Sequence, residues 1–325
     1  MSRTIFVIAI IAMAAPIVGA AQTREAGPWW PHPQWGAADQ AGASNRITPE
    51  KVVEALEFVT RGQIYELGQI YEAGMPQFGT RSYALSLLAK GPSQGTNATV
   101  FNDDFLATQI GQTGTQFDGL GHIGAEVRFD DGSADYVFYN GFTAAEMDAT
   151  DGLQQLGVEH VRPIITHGVL VDVAGSKGMT RLPSSYEVTL ADLRAALARQ
   201  GMQEDSIGSG DAVLFNYGWS ELWTQPELYN GAAPGIGLEV AAWLVAREVT
   251  VTGSDTYITE VVPNPDPDLA IPVHQELLMK NGIFNIENMQ FSALLADDAY
   301  EFLFIAMPIR FKGATGSPLR PIAIR

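Results

Sequence analysis

The stretch Gly111-Gln112-Thr113-Gly114-Thr115-Gln116-Phe117-Asp118-Gly119-Leu120-Gly121-His122 is the densest cluster of chemistry-bearing side chains in the chain. Four glycines in these twelve residues permit tight turns and close backbone approach. On an extended chain, side chains two apart share a side. Gln112, Gln116, Asp118 and His122 are therefore expected to project into one cavity. Carboxylate and imidazole together suit zinc, manganese or iron. A glycine-rich turn whose Asp and His only satisfy backbone groups is the competing explanation of the same spacing.

Five histidines make each one informative. His32 lies in an N-terminal arm, His160 in a loop, and His167 after a strand expected at 163–166; these read as structural or surface residues. His274 differs. It falls in the first turn of an expected helix, after the run Asn264-Pro265-Asp266-Pro267-Asp268. Glu287 ends an apolar strand, where a lone buried carboxylate is costly without a partner. A helix, a turn at Gly282 and a returning strand would bring the two side chains together, and a metal ion is one partner that would satisfy both.

Working outward, strands alternate with helices, which indicates an α/β domain. The first helix is expected from Thr48 to Gly62, with Thr48 as cap, Pro49 in its first turn and Val52, Leu56 and Val59 as its apolar face. Residues 64–70 then read as a strand. Helices follow at 190–200, with capping-box spacing between Thr189 and Asp192, at 238–247, and from Pro272 to Asn281. Strands are expected at 169–173, 212–215, 249–252, 282–286 and 302–307. Gly235-Ile236-Gly237 reads as a turn. Gly253-Ser254-Asp255-Thr256, just past a strand end, is a candidate for substrate contact.

With 325 residues, 46% of them hydrophobic and only 17% charged, the chain can fill a large core, which argues against disorder. A net charge of -18 with no basic run makes nucleic acid and anionic membrane surfaces poor partners. Residues 1–21 have the layout of a secretory signal peptide. Arg3 is the only charge, an apolar run follows from Ile5 to Val18, and small residues stand at 18–20. That run is short against the roughly 20 residues a membrane span needs. A periplasmic or secreted protein is expected, with no membrane segment after cleavage. Residues 22–47 form an arm whose Trp29, Trp30 and Trp35 should pack on the body or on a second subunit. Residues 48–325 form a single catalytic domain. The chain has no cysteine, which removes thiolate nucleophiles and disulfides. No Gly-x-Ser-x-Gly elbow offers a seat for a hydrolase serine.

The run 111–122 resembles the signature of the cyclase family, which includes bacterial kynurenine formamidases and isatin hydrolases and is usually His-x-Gly-Thr-His-x-Asp with a further His four residues on. The likeness extends to W-G-A-A-D-Q-A-G-A-S-N-R (35–46), G-V-L-V-D-V (168–173), G-D-A-V-L-F (210–215), G-S-D-T (253–256), V-P-N-P-D-P-D (262–268) and F-K-G-A-T-G-S-P (311–318). It implies a kynurenine-formamidase-like α/β fold, a mixed, β-barrel-like sheet flanked by helices. It also implies a homodimer or homotetramer. Asp118 and His122 fall on the family's metal-binding Asp and later His, and His274 and Glu287 on the distal pair that completes a second metal position. Gln112 and Gln116 stand where the two signature histidines are usual, so one divalent ion, zinc first and manganese second, is expected on Asp118, His122, His274 and Glu287.

The implied activity is hydrolysis of an amide, cyclic amide, lactone or ester of a small molecule by water activated at the metal. Gln112 or Gln116 would steady the oxyanion, and His122 or Glu287 would move the proton. Two rival expectations remain: a non-catalytic periplasmic small-molecule-binding protein on the same fold, and a dehydratase or cyclising enzyme using the same metal.

Overall fold

The computed structural model describes residues 26–130 and 132–325. The expected leader and the first residues of the arm lie outside the described residues. Nine strands build the main sheet: β1 (Ile64–Glu66), β2 (Gln116–Asp118), β3 (Ile164–Asp172), β4 (Ala212–Asn216), β5 (Val251–Ser254), β6 (Phe284–Glu287), β7 (Glu301–Ala306), β8 (Gly316–Pro318) and β9 (Ile322–Ile324). Their order is β1-β9-β7-β3-β4-β5-β6-β2-β8. The four central strands β3 to β6 run parallel, and the outer pairings are antiparallel. The sheet curls into a half-barrel flanked by helices, which is the mixed α/β architecture expected.

Parallel strands are buried on both faces, so they need a core on each side. Val169, Val171, Val213 and Phe215 point to one core. There they meet Leu193, Ala196 and Leu197 of helix Leu190–Arg199 and Val240, Ala241 and Leu244 of helix Leu238–Ala246. Leu170, Ala212 and Leu214 point the other way, to Phe117, Phe284, Phe302 and Phe304. Thr189 and Asp192 form the expected capping box.

Four local expectations are corrected. The first helix is shorter, Pro49–Ala55 followed by a 3-10 turn. It buries Lys51 and Ala55, while Leu56 and Val59 are exposed. The buried lysine is held by an ion pair, Nζ to Asp211 Oδ1 at 2.5 Å, so charge pairing rather than apolar spacing selects that face. His167 lies inside β3, which is longer than expected because both of its faces are covered. The helix at Pro272 is α only through His274 and continues as a π-helix at Gln275–Lys280. Gly235–Ile236 is a short strand paired with Glu187–Val188, not a turn.

The arm packs on its own body. The Trp30 ring lies against Gly141. His32 stacks on Trp35 at 4.0 Å, and its backbone N–H donates to the Asn140 side-chain oxygen at 2.8 Å. Among the described residues no helix is long and apolar enough to cross a membrane.

Candidate metal centre

Strand register creates the site. In the antiparallel pair β2–β6, Gln116 lies opposite Glu287, Phe117 opposite Ile286 and Asp118 opposite Asn285. Because side chains alternate, Phe117 and Ile286 enter the core while Gln116, Asp118, Asn285 and Glu287 share the other face. All four are buried. The rest of the 111–122 run is turn rather than strand, yet its polar groups still converge. A Cβ on Gly111 (φ 75°) would meet the Gly316 carbonyl carbon at 2.4 Å, so only glycine lets this turn press against β8. That turn delivers Gln112, whose Nε2 donates to Asp118 Oδ1 at 2.9 Å. The turn after β2 delivers His122, its Nε2 3.9 Å from the same oxygen.

The helix at Pro272 supplies His274. Its Nε2 stands 3.2 Å from Glu287 Oε1 and 3.7 Å from Asp118 Oδ2. One ligand-type atom from each of Asp118, His274 and Glu287 lies within 4.8 Å of the others. Of the three, His122, the fourth expected ligand, approaches Asp118 alone; its Nε2 also stands 3.4 Å from Gln112 Nε2, and it borders the group.

Two residues that the sequence reading missed complete the cluster. Glu260 accepts from His274 Nδ1 at 2.6 Å, which leaves Nε2 free to face the carboxylates. The Asn285 amide nitrogen stands among the three, 3.2 Å from Asp118 Oδ2, 3.2 Å from His274 Nε2 and 2.8 Å from Glu287 Oε1. Period-two alternation from Glu287 could have pointed to Asn285. No spacing signal pointed to Glu260. A donor filling the space between two carboxylates and an imidazole is what a cluster built to face a positive centre requires, so the donor set fits a divalent ion. A second observation agrees: Gln116 Nε2 donates to Glu287 Oε2 at 2.7 Å, and its buried Oε1 has no protein partner.

The charges follow from this packing. Burial alone would raise Asp118, but His122 and His274 beside it hold the carboxyl below its usual range. Glu287 is raised by burial and by the facing Asp118 charge. Burial opposes the charged form of His274, yet bonds to Asp118, Glu260 and Glu287 lift it well above an ordinary imidazole. His122 is lowered, first by burial, with His274 and Arg81 adding to the effect against Asp118. Its side chain keeps 22% exposure, which marks the solvent side of the cluster.

Asp255 does not reach the site. It accepts from the backbone of Tyr217 (2.9 Å) and Ser220 (3.1 Å) and braces the loop after β4. Of the three histidines set aside, His32 and His167 are buried in structural contacts, and His160 is 41% exposed at its side chain.

Residues 65–261 match the family described as "Putative cyclase". A crystal structure described as a novel cyclase is 29% identical with a TM-score of 0.77, over 90% of this chain and 98% of that one. Isatin hydrolase A from Ralstonia solanacearum is 20% identical with a TM-score of 0.59, over 85% and 98%. A structure described as a predicted metal-dependent hydrolase from Bacillus stearothermophilus is 16% identical with a TM-score of 0.51, over 80% and 97%. Among curated protein sequences, none matches.

Proposed function

From the premise that this chain belongs to the cyclase family, we propose that it is a metal-dependent hydrolase acting on an amide, cyclic amide, lactone or ester. The observation that carries the reading is the convergence of Asp118, His274 and Glu287 on one buried point. The hydrolase and metal-dependent descriptions of structures sharing the fold support it.

In this reading Asp118, His274 and Glu287 hold one divalent ion, zinc or manganese, with His122 at its edge. Such an ion supplies Lewis acidity and a nucleophile at neutral pH. Glu287 is committed on both oxygens, to Gln116 at 2.7 Å and to Asn285 and the Thr259 backbone at 2.8 and 3.2 Å, which suits a ligand rather than a mobile base. His122 makes no contact with Glu287, is partly open to solvent, has its pKa lowered chiefly by burial, and among the described residues meets only Gln112 and Asp118 at its Nε2. It takes the proton of the attacking water at Nε2 and returns it to the leaving group. Gln112 Nε2 is shared between Asp118 at 2.9 Å and His122 Nε2 at 3.4 Å, whereas Gln116 directs one amide hydrogen at Glu287 and retains one for a developing oxyanion.

A periplasmic or secreted location is part of the same proposal. Its support is the composition of residues 1–21 and the absence of cysteine. A homodimer or homotetramer is supported by the ribbon Tyr83–Leu87 with Asp104–Thr108, which exposes large apolar side chains: Leu85 at 57%, Leu87 at 72% and Phe105 at 59%.

The test is metal content per chain by elemental mass spectrometry on protein purified without chelator, followed by a panel of amides, lactams, lactones and esters. About one zinc or manganese per chain, lost in His274→Ala together with turnover, is expected. No metal after incubation with either ion overturns the reading.

A further inference from the structure

The loop from Gln77 to Ser82 is pinned at four points, one of them to Gln112 beside the cluster. Asn230 Nδ2 donates to the Gln77 carbonyl at 3.0 Å. The Phe78 ring stacks on Tyr257, centroids 4.9 Å apart at 15°. The Ser82 backbone donates to Gln109 Oε1 at 2.7 Å. Between them, Arg81 Nη2 donates to Gln112 Oε1 at 2.6 Å, and Gln112 passes the contact on to Asp118.

This arginine is under-used. A guanidinium has five N–H donors in a planar fork. Among the described residues, the one side-chain polar partner of Arg81 is Gln112, and no carboxylate lies within 4.0 Å of it. In a chain with 37 acidic and 19 basic residues, a cation left without a carboxylate is placed against the prevailing charge. It stands half-buried, joined through Gln112 to Asp118 of the cluster. Phe78, 46% exposed, lies beside it with the Arg81 guanidinium carbon 5.7 Å from its ring centre. The exposed side of the Phe78 ring and a guanidinium whose remaining donors meet no carboxylate, side by side, form a receptor for a planar anion.

We infer that Arg81 binds a carboxylate the substrate carries apart from its reacting carbonyl, and that the substrate is an aromatic carboxylic acid anion. The inference rests on the hydrolase reading, because it takes the acidic cluster as the reacting centre. A substrate of this kind is delivered with its anion at Arg81, its ring along Phe78 and its carbonyl towards His122 and the cluster.

The test uses the full-length chain loaded with manganese or zinc, and two isosteric probes, benzoate and benzamide, titrated calorimetrically. Wild type is expected to prefer benzoate. Arg81→Gln should lose about tenfold to a hundredfold in benzoate affinity while keeping its benzamide affinity and its metal stoichiometry. Arg81→Lys, which keeps the charge but not the fork, should recover part of the preference. An unchanged benzoate preference in Arg81→Gln overturns the inference, since the anion then sits elsewhere. A fall in metal stoichiometry with the preference intact overturns it too, because Arg81 then serves only to position Gln112 and Asp118. Failure of the hydrolase reading has a separate signature, wild-type protein that takes up no metal.

Discussion

Glu260 and His274 are joined twice, and a third bond ties Glu260 to the residue before His274. Glu260 Oε1 accepts from the His274 ring at 2.6 Å and from the His274 backbone N–H at 2.9 Å, while Oε2 accepts from the Val273 backbone at 3.1 Å. One carboxylate therefore caps the start of the helix and fixes the rotation and tautomer of the imidazole. A metal-binding His whose second nitrogen is held in this way loses about tenfold to a hundredfold in metal affinity when the partner is removed. Glu260→Gln is expected to show that loss in competition with a chromogenic chelator. An affinity equal to wild type would remove Glu260 from the account.

Asn285 predicts a trade between stability and affinity. Its amide nitrogen bridges Asp118, His274 and Glu287, so Asn285→Asp sets a third carboxylate beside two others. Without metal the variant is expected to be about 3 kcal/mol less stable, the order of cost for an uncompensated buried charge. Saturating zinc or manganese should restore that loss, because the ion neutralises the added carboxylate. Thermal melts with chelator and with metal read both halves. A deficit that metal does not reduce would place the ion away from Asn285.

Asp118, His274 and Glu287 could be picked out because they come from short, strongly punctuated segments: a strand between glycine turns, a proline-started helix and the strand that follows it. Alternation on the two paired strands places Asp118 and Glu287 on one face, the helix brings His274 to them, and His122, expected as a fourth member, stands at the border. Glu260 was not legible, since it acts across the irregular loop that separates it from His274, and no periodicity links them. Arg81 was hidden for the same reason. The buried face of the first helix was misread because amphipathic counting weighs side-chain type, whereas Lys51 is drawn inward by Asp211. The π-helical turn after His274 leaves no mark in an apolar pattern. The central strands were legible as apolar runs between helices, but their parallel pairing and order were not, because these depend on pairings between residues far apart in the chain.

The Asp211 cluster predicts a pH-dependent stability remote from the metal centre. His167 Nδ1 stands 3.1 Å from Asp211 Oδ2 and its Nε2 3.4 Å from Glu301 Oε1, with Phe58 stacked at 3.8 Å and Lys51 on the other Asp211 oxygen. Burial lowers the His167 pKa, but the two carboxylates outweigh it and the folded value lies above 6.5. A histidine raised in the folded state stabilises most below its unfolded pKa, and that contribution fades as pH climbs through the folded pKa. His167→Gln should therefore cost more at pH 6 than at pH 9, measured by urea unfolding. A pH-independent cost would mean that His167 is neutral in the folded chain.

Gly111 and Gly201 separate two reasons for a glycine. Both have positive φ, 75° and 73°. Gly201 ends helix Leu190–Arg199 in open space, with nothing within 4 Å of an added Cβ, so Gly201→Ala meets only the left-handed backbone cost of about 1 kcal/mol. A methyl at Gly111 would meet the Gly316 carbonyl carbon at 2.4 Å and the Ser317 nitrogen at 2.5 Å, both main-chain atoms of β8. Main chain cannot rotate away, so either β8 moves off β2 or the turn carrying Gln112 lifts. Gly111→Ala is expected to cost about 3 kcal/mol or more by urea unfolding. It should also weaken metal binding, since Gln112 then leaves Asp118 and β2 loses its edge partner. Equal costs at the two positions would mean that the close approach of turn and strand contributes nothing to holding the centre.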